Sequence, residues 1–111
     1  MPTFQSIPEV IASYPDRFKP EEAEDTDAVV QLNITGDGGG TYQLVIRDGA
    51  LDIREGATDD PTLTATVDAD DWIRVNNGEV SPMTLLMQGK LTFSGSLPMA
   101  LKFRSMFETY A

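Results

Sequence analysis

Neither cysteine nor histidine occurs in the 111-residue sequence. Without cysteine there is no disulfide framework and no thiolate to act as nucleophile or soft metal ligand, which fits a reducing compartment. Without histidine the usual general base, the Ser–His relay and most zinc sites are removed together. Basic side chains are scarce as well, 8 against 18 acidic ones, for a formal net charge of −10. So acidic a surface repels phosphate backbones and anionic membranes, and nucleic acid is not expected among the partners. Long apolar runs are missing too. None approaches the roughly 20 residues that span a bilayer, so no stable membrane insertion is expected. The opening Met1-Pro2-Thr3-Phe4-Gln5-Ser6 lacks the basic flank and apolar core of a signal peptide, and the expected compartment is the cytoplasm.

What is present suffices for one domain over residues 1–111, since 41% hydrophobic and 23% charged residues fall inside the globular range. Phe4, Ile7, Val10, Ile11 and Tyr14 recur at spacings of three and four, the apolar face of a short helix that Pro15 is expected to end. The run Glu21, Glu22, Glu24, Asp25, Asp27 has no apolar partners and reads as a solvated loop. From Ala28 the period becomes two. Val30, Leu32 and Ile34 alternate with Val29, Gln31 and Asn33; Tyr42, Leu44 and Ile46 follow, then Leu51 and Ile53, then Leu63, Ala65 and Val67. These are four strands, each with one buried face. Asp48-Gly49 is a two-residue hairpin signal, and the short links predict an antiparallel meander.

Helical signals come afterwards. Asp68 and Asp71 cap a helix holding Trp72, Ile73 and Val75 that stops at Gly78. Ser81-Pro82 opens a second one, with Met83, Leu85, Leu86 and Met87, ending at Gly89. Leu91 and Phe93 form a fifth strand, and Gly95-Ser96 opens a closing helix with Met99, Phe103, Met106, Phe107 and Tyr110 as its apolar stripe. Lys102, Ser105 and Thr109 mark its wet face. A sheet with one apolar face needs cover, and the helices are the cover available, so the expected class is an α+β two-layer domain.

Three segments imitate sites. Gly36-Asp37-Gly38-Gly39-Gly40-Thr41 looks like a phosphate loop, but a strand follows it rather than a helix, and no Lys is present. Asp68, Asp70 and Glu79 fall at calcium-loop spacing, yet Trp72 and Ile73 occupy the positions that need an oxygen ligand and a glycine. The pairs Asp59-Asp60 and Asp70-Asp71 lack the apolar surroundings that would raise one carboxyl for acid catalysis. No catalytic residue, metal ligand or cofactor is therefore expected, and the chain is not read as an enzyme. What is concentrated is apolar: Met83, Met87, Met99 and Met106 beside Trp72, Phe93, Phe103 and Phe107. Met suits surfaces that adapt to varied apolar shapes, but by patterning alone these residues read as the domain's own core.

The segment Gly78-Glu79-Val80-Ser81-Pro82-Met83-Thr84-Leu85-Leu86-Met87-Gln88-Gly89-Lys90-Leu91-Thr92-Phe93-Ser94-Gly95 resembles the sterol carrier (non-specific lipid transfer) protein family. The likeness lies in the apolar stretch into Gln-Gly-Lys, the alternating strand and Gly, and a closing helix of the Met99-Ala100-Leu101-Lys102 type. With the Asp-Gly hairpin upstream it covers roughly residues 28–107. The resemblance implies a five-stranded, largely antiparallel sheet covered by helices around an apolar tunnel, here in a stand-alone version. It also implies that Trp72, Met83, Leu86, Met87, Phe93, Met99, Phe103, Met106 and Phe107 line that tunnel. The implied function is binding, and intracellular transfer, of a fatty acid, acyl ester or sterol-like ligand, by a monomer or homodimer. A carboxylate head group is expected at the mouth, near Lys90 or Arg104. The rival expectation is a non-catalytic interaction module whose apolar C-terminal helix face dimerises or docks a lipid-metabolising enzyme.

Overall fold

A computed structural model describes residues 4–106, the Arg104 side chain excepted. Its sheet is built on the period-two segments, β1 (Ala28–Thr35), β2 (Gly40–Arg47), β3 (Ala50–Glu55), β4 (Leu63–Asp68) and β5 (Leu91–Gly95). Register puts the apolar members of every strand on one face. Val30 stands opposite Leu44 and Leu63, and the row Tyr42, Leu32, Ala65, Phe93 crosses from β2 to β5. Val30, Leu32, Leu44, Ile46, Leu63 and Val67 are each at most 2% exposed. At Asp48 and Gly49 φ is 54° and 72°, the left-handed pair that a type I′ hairpin requires. The glycine-rich segment is a hairpin loop closed by Gly39 N–H to the Gly36 carbonyl, with β2 starting at once.

The strand order is β3-β2-β1-β4-β5, which corrects the expected meander. Three strands do zigzag, but β4 crosses the sheet and pairs parallel with β1. The crossing is short because of register. Glu55, the last residue of β3, lies level with Leu32 through Tyr42, and β4 begins at Leu63 opposite Val30. Residues 56–62 therefore span three strand spacings, about 14 Å, with little lengthwise return, which seven extended residues manage easily. The connection is tied to the sheet at several points. Gln43 Nε2 donates to the Gly56 carbonyl (3.2 Å), Thr58 N–H to Gln31 Oε1 (2.9 Å), and Thr62 N–H to the Val29 carbonyl (2.8 Å). Gln31, only 9% exposed, thus satisfies a part-buried amide instead of facing water.

The helices are α1 (Ile7–Arg17), α2 (Ala69–Asn76), α3 (Pro82–Met87) and α4 (Leu97–Ser105). Each begins on a side-chain cap: Ser6, Asp68, Ser81 and Ser96 accept from Glu9, Asp70, Met83 and Met99 N–H respectively, satisfying amides that have no partner within the helix. The acidic run forms a 3-10 turn (Pro20–Glu22) and an exposed loop. Pro15 does not end α1; the helix runs two residues past it. Proline removes one hydrogen bond in the final turn. Burial of Tyr14 and Arg17 on either side, and the Phe18 N–H to Tyr14 carbonyl bond of 2.9 Å, hold that turn in place.

Gly95 makes the join from β5 to α4 possible. Its φ is +106°, and an added Cβ would lie 2.6 Å from the Thr62 carbonyl oxygen. Gly95→Ala is expected to destabilise the fold by about 1–3 kcal/mol, the usual cost of such strain, read as a lower urea midpoint at unchanged slope.

Candidate functional site

The helices do not close over the sheet completely. Between β1, β4 and β5 below and α2, α3 and α4 above lies a cavity of about 630 Å³. Its floor is Val30, Leu32, Leu63, Ala65, Leu91 and Phe93. Where Leu32 and Phe93 flank it, β4 contributes only the methyl group of Ala65, and α4 presents Ala100 to the same space. Small side chains where the layers face each other leave the gap. Volumes of this size lie in the range of small-molecule sites.

The two ends differ. Met83, Leu97 and Leu101 line the cavity yet are 50%, 65% and 75% exposed, so the mouth opens between α3 and α4. At the other end are Tyr14, Arg17 and Asn76, all buried. Trp72 Nε1 donates to Tyr14 Oη (3.0 Å), and Asn76 Nδ2 donates to the Trp72 carbonyl (2.8 Å). Arg17 Nη1 donates to Asn76 Oδ1 (2.9 Å) and Ser13 Oγ (3.0 Å), with the guanidinium carbon 5.2 Å from the Tyr14 ring centroid and 5.9 Å from that of Phe4. Such a network holds a charge in a low-polarity setting by hydrogen bonds and ring faces. Burial pushes the Tyr14 phenol up to about 12; the Arg17 charge and the hydrogen bonds from Trp72 and Asn76 oppose that rise.

Of the residues that the resemblance placed in the tunnel, Trp72, Met83, Leu86, Phe93 and Phe103 line this cavity together. Met87 does not; it is 82% exposed, on the outer side of α3. Met99 and Met106 are core residues, 7% and 0% exposed, because they share the stripe of α4 that rests on the sheet rather than the one over the gap. Phe107, Thr109 and Tyr110 lie outside the described residues. Lys90 is exposed on the turn before β5 and away from the lining, and the Arg104 side chain is not described. The polar end was missed altogether. Its signal was present as Val10, Tyr14 and Arg17 on one helical stripe, and as Asn76 one turn beyond Trp72.

The sequence profile of the SCP-2 sterol transfer family matches residues 8–108. The mouse protein named hydroxysteroid dehydrogenase-like protein 2 is 26% identical over 106 residues, 95% of this chain and 22% of its own length. The chain thus spans about a fifth of the length of that relative. Among solved structures, the solution structure of palmitated SCP2L2 from Aedes aegypti has a TM-score of 0.75 at 24% identity, covering 96% of this chain and 99% of that one. A double mutant of the sec-alkyl sulfatase PisA1, an enzyme of Pseudomonas sp., contains the same fold with a TM-score of 0.83 at 15% identity, over 96% of this chain and 17% of that one.

Tyr14 gives the site a pH signature. In the unfolded chain its phenol ionises near 10, and in the folded protein near 12. The folded state therefore holds the proton more tightly. This contribution is complete below pH 10 and is lost as pH rises to about 12, on the order of 3 kcal/mol. Denaturation at stepped pH is expected to show that loss in the wild type and not in Tyr14→Phe. At neutral pH the same variant should be less stable by about 1–3 kcal/mol, since the Trp72 N–H is left without its acceptor.

Proposed function

The chain belongs to the SCP-2 sterol transfer family, and from that premise we propose that it binds one amphiphilic lipid in the cavity between sheet and helices and carries it reversibly. The observation that carries this reading is the cavity itself. It measures about 630 Å³, has an aliphatic and aromatic lining, is open at one end and is closed at the other by Tyr14, Arg17 and Asn76. Trp72, Met83, Leu86, Phe93 and Phe103 are the side chains assigned to hold the ligand. Burial of about ten methylenes at about 0.8 kcal/mol each is worth roughly 8 kcal/mol before ordering costs, so a Kd near micromolar or weaker follows. Apolar burial is non-directional, and several chain types should fit.

The head group is assigned to the deep end rather than the mouth. What supports this is that Arg17, not Lys90, borders the cavity, with the Asn76 amide and Tyr14 hydroxyl beside it. A carboxylate or another oxygen-rich group has donors to meet there. The domain carries its ligand and does not convert it. The hydroxyls on the cavity wall already have structural work, Tyr14 accepting from Trp72 and Ser81 capping α3.

Displacement of a fluorescent fatty acid from the pure protein tests both parts. Unlabelled fatty acid is expected to compete near its micromolar Kd, and Ala65→Phe, which fills the floor, to weaken it by about tenfold or more, roughly 1.4 kcal/mol, at unchanged circular dichroism. The wild type should prefer a fatty acid over the alcohol of equal chain length, and Arg17→Gln should erase that preference. If no apolar ligand displaces the probe, carriage is wrong.

A further inference from the structure

The strand β3 stands at one end of the sheet and pairs only with β2. The Asp48-Gly49 hairpin sets which of its backbone groups are left over. Arg47 and Ala50 flank the two-residue turn and form the first hydrogen-bonded pair, so Ala50, Asp52 and Arg54 turn their backbone groups toward β2. The Gly56 N–H to Thr41 carbonyl bond of 2.8 Å continues that alternation. The N–H and C=O groups of Leu51, Ile53 and Glu55 therefore point to the open edge. Leu51 and Ile53 are only partly buried, while Leu44 and Ile46 of the next strand are fully covered, because no strand stands beyond β3. Proline, lysine or a bulge commonly protects such an edge. The segment Ala50–Glu55 has neither proline nor lysine, and its register with β2 is unbroken.

We propose that two copies of the chain pair β3 with β3, antiparallel about a two-fold axis at Ile53, so that two five-stranded sheets become one. The charges select both the occupant and the register. To bond the outward groups of Leu51, Ile53 and Glu55 to one another over most of the strand, the axis must pass through residue 52, 53 or 54. Centred on Asp52 or on Arg54, it would set two carboxylates or two guanidiniums face to face, which is destabilising. Centred on Ile53, it sets Asp52 opposite Arg54 of the second copy twice over. Those are non-hydrogen-bonded positions, where facing side chains stand closest. Asp52 and Arg54 already pair within the chain at 2.8 Å, and each side chain is more than 60% exposed, so both can reach across the edge. Ile53 meets its own copy, and the half-buried Leu51 gains cover from the added strand. The cavity floor belongs to β1, β4 and β5, away from this edge, so the pairing leaves the mouth open. The inference is independent of what the cavity holds.

Sedimentation over a dilution series reaching about millimolar protein, where even a weak pairing is populated, tests this. The wild type is expected to pass from monomer to dimer. Asp52→Arg or Arg54→Asp alone should weaken the dimer by roughly tenfold or more, since each sets like charges opposite one another. An equal mixture of those two variants should recover it, because their edges are complementary only to each other. The chain has no native cysteine, and the Cα atoms of a hydrogen-bonded antiparallel pair lie about 5.5 Å apart, within disulfide reach. Mild oxidation should therefore cross-link Ile53→Cys and not Met87→Cys, at an 82% exposed position on α3. A wild type that stays monomeric throughout the series overturns the proposal. So does a dimer that both charge variants keep undiminished, or one that Met87→Cys traps and Ile53→Cys does not, which would assign the contact to the helical face.

Discussion

A five-stranded sheet with one apolar face must be kept dry, and four helices of six to eleven residues supply the cover. Where side chains from both layers are large, as at Leu44, Ile46 and Val10, the layers close. Where the lining is small, at Ala65 on the sheet and Ala100 on α4, they do not. A sealed, empty void of 630 Å³ at about 24 cal/mol per Å³ would cost on the order of 15 kcal/mol, as much as a whole domain's stability. The space is therefore not a sealed one. It stands open to water at the α3–α4 mouth, and water among Leu32, Phe93 and Leu86 is a poor occupant that an acyl chain replaces favourably. The function proposed for the domain follows from incomplete cover.

The same geometry separates two chemistries along one cavity. The guanidinium of Arg17 is held by Asn76, Ser13 and two aromatic rings at the buried end, while aliphatic side chains stand in solvent at the other. An amphiphile matches that polarity head-inward.

Much of this was legible in the sequence because the signals are local. Alternation at Val30, Leu32 and Ile34 fixed the buried face of β1, and Ser81-Pro82 and Asp68 marked helix starts that the structure has. The parallel pairing of β4 with β1 was not legible. A seven-residue link between Glu55 and Leu63 fits a hairpin as well as a crossing, and only register decides that the crossing is short. Pro15 misled because its cost is one hydrogen bond, while the burial of Arg17 beyond it depends on partners 59 residues away. Periodicity likewise could not say which stripe of α4 lies over the gap. Met99 and Met106 are apolar for the core, while Leu97 and Leu101, which lie off that stripe, rim the mouth.

The most direct test of the central claim is mass spectrometry of what organic solvent extracts from freshly purified protein, and from the same protein re-exposed to a mixture of fatty acids. The account predicts a single-chain amphiphile at close to one per protein chain, with acids retained over alcohols. A protein that yields no lipid and takes up none would contradict it.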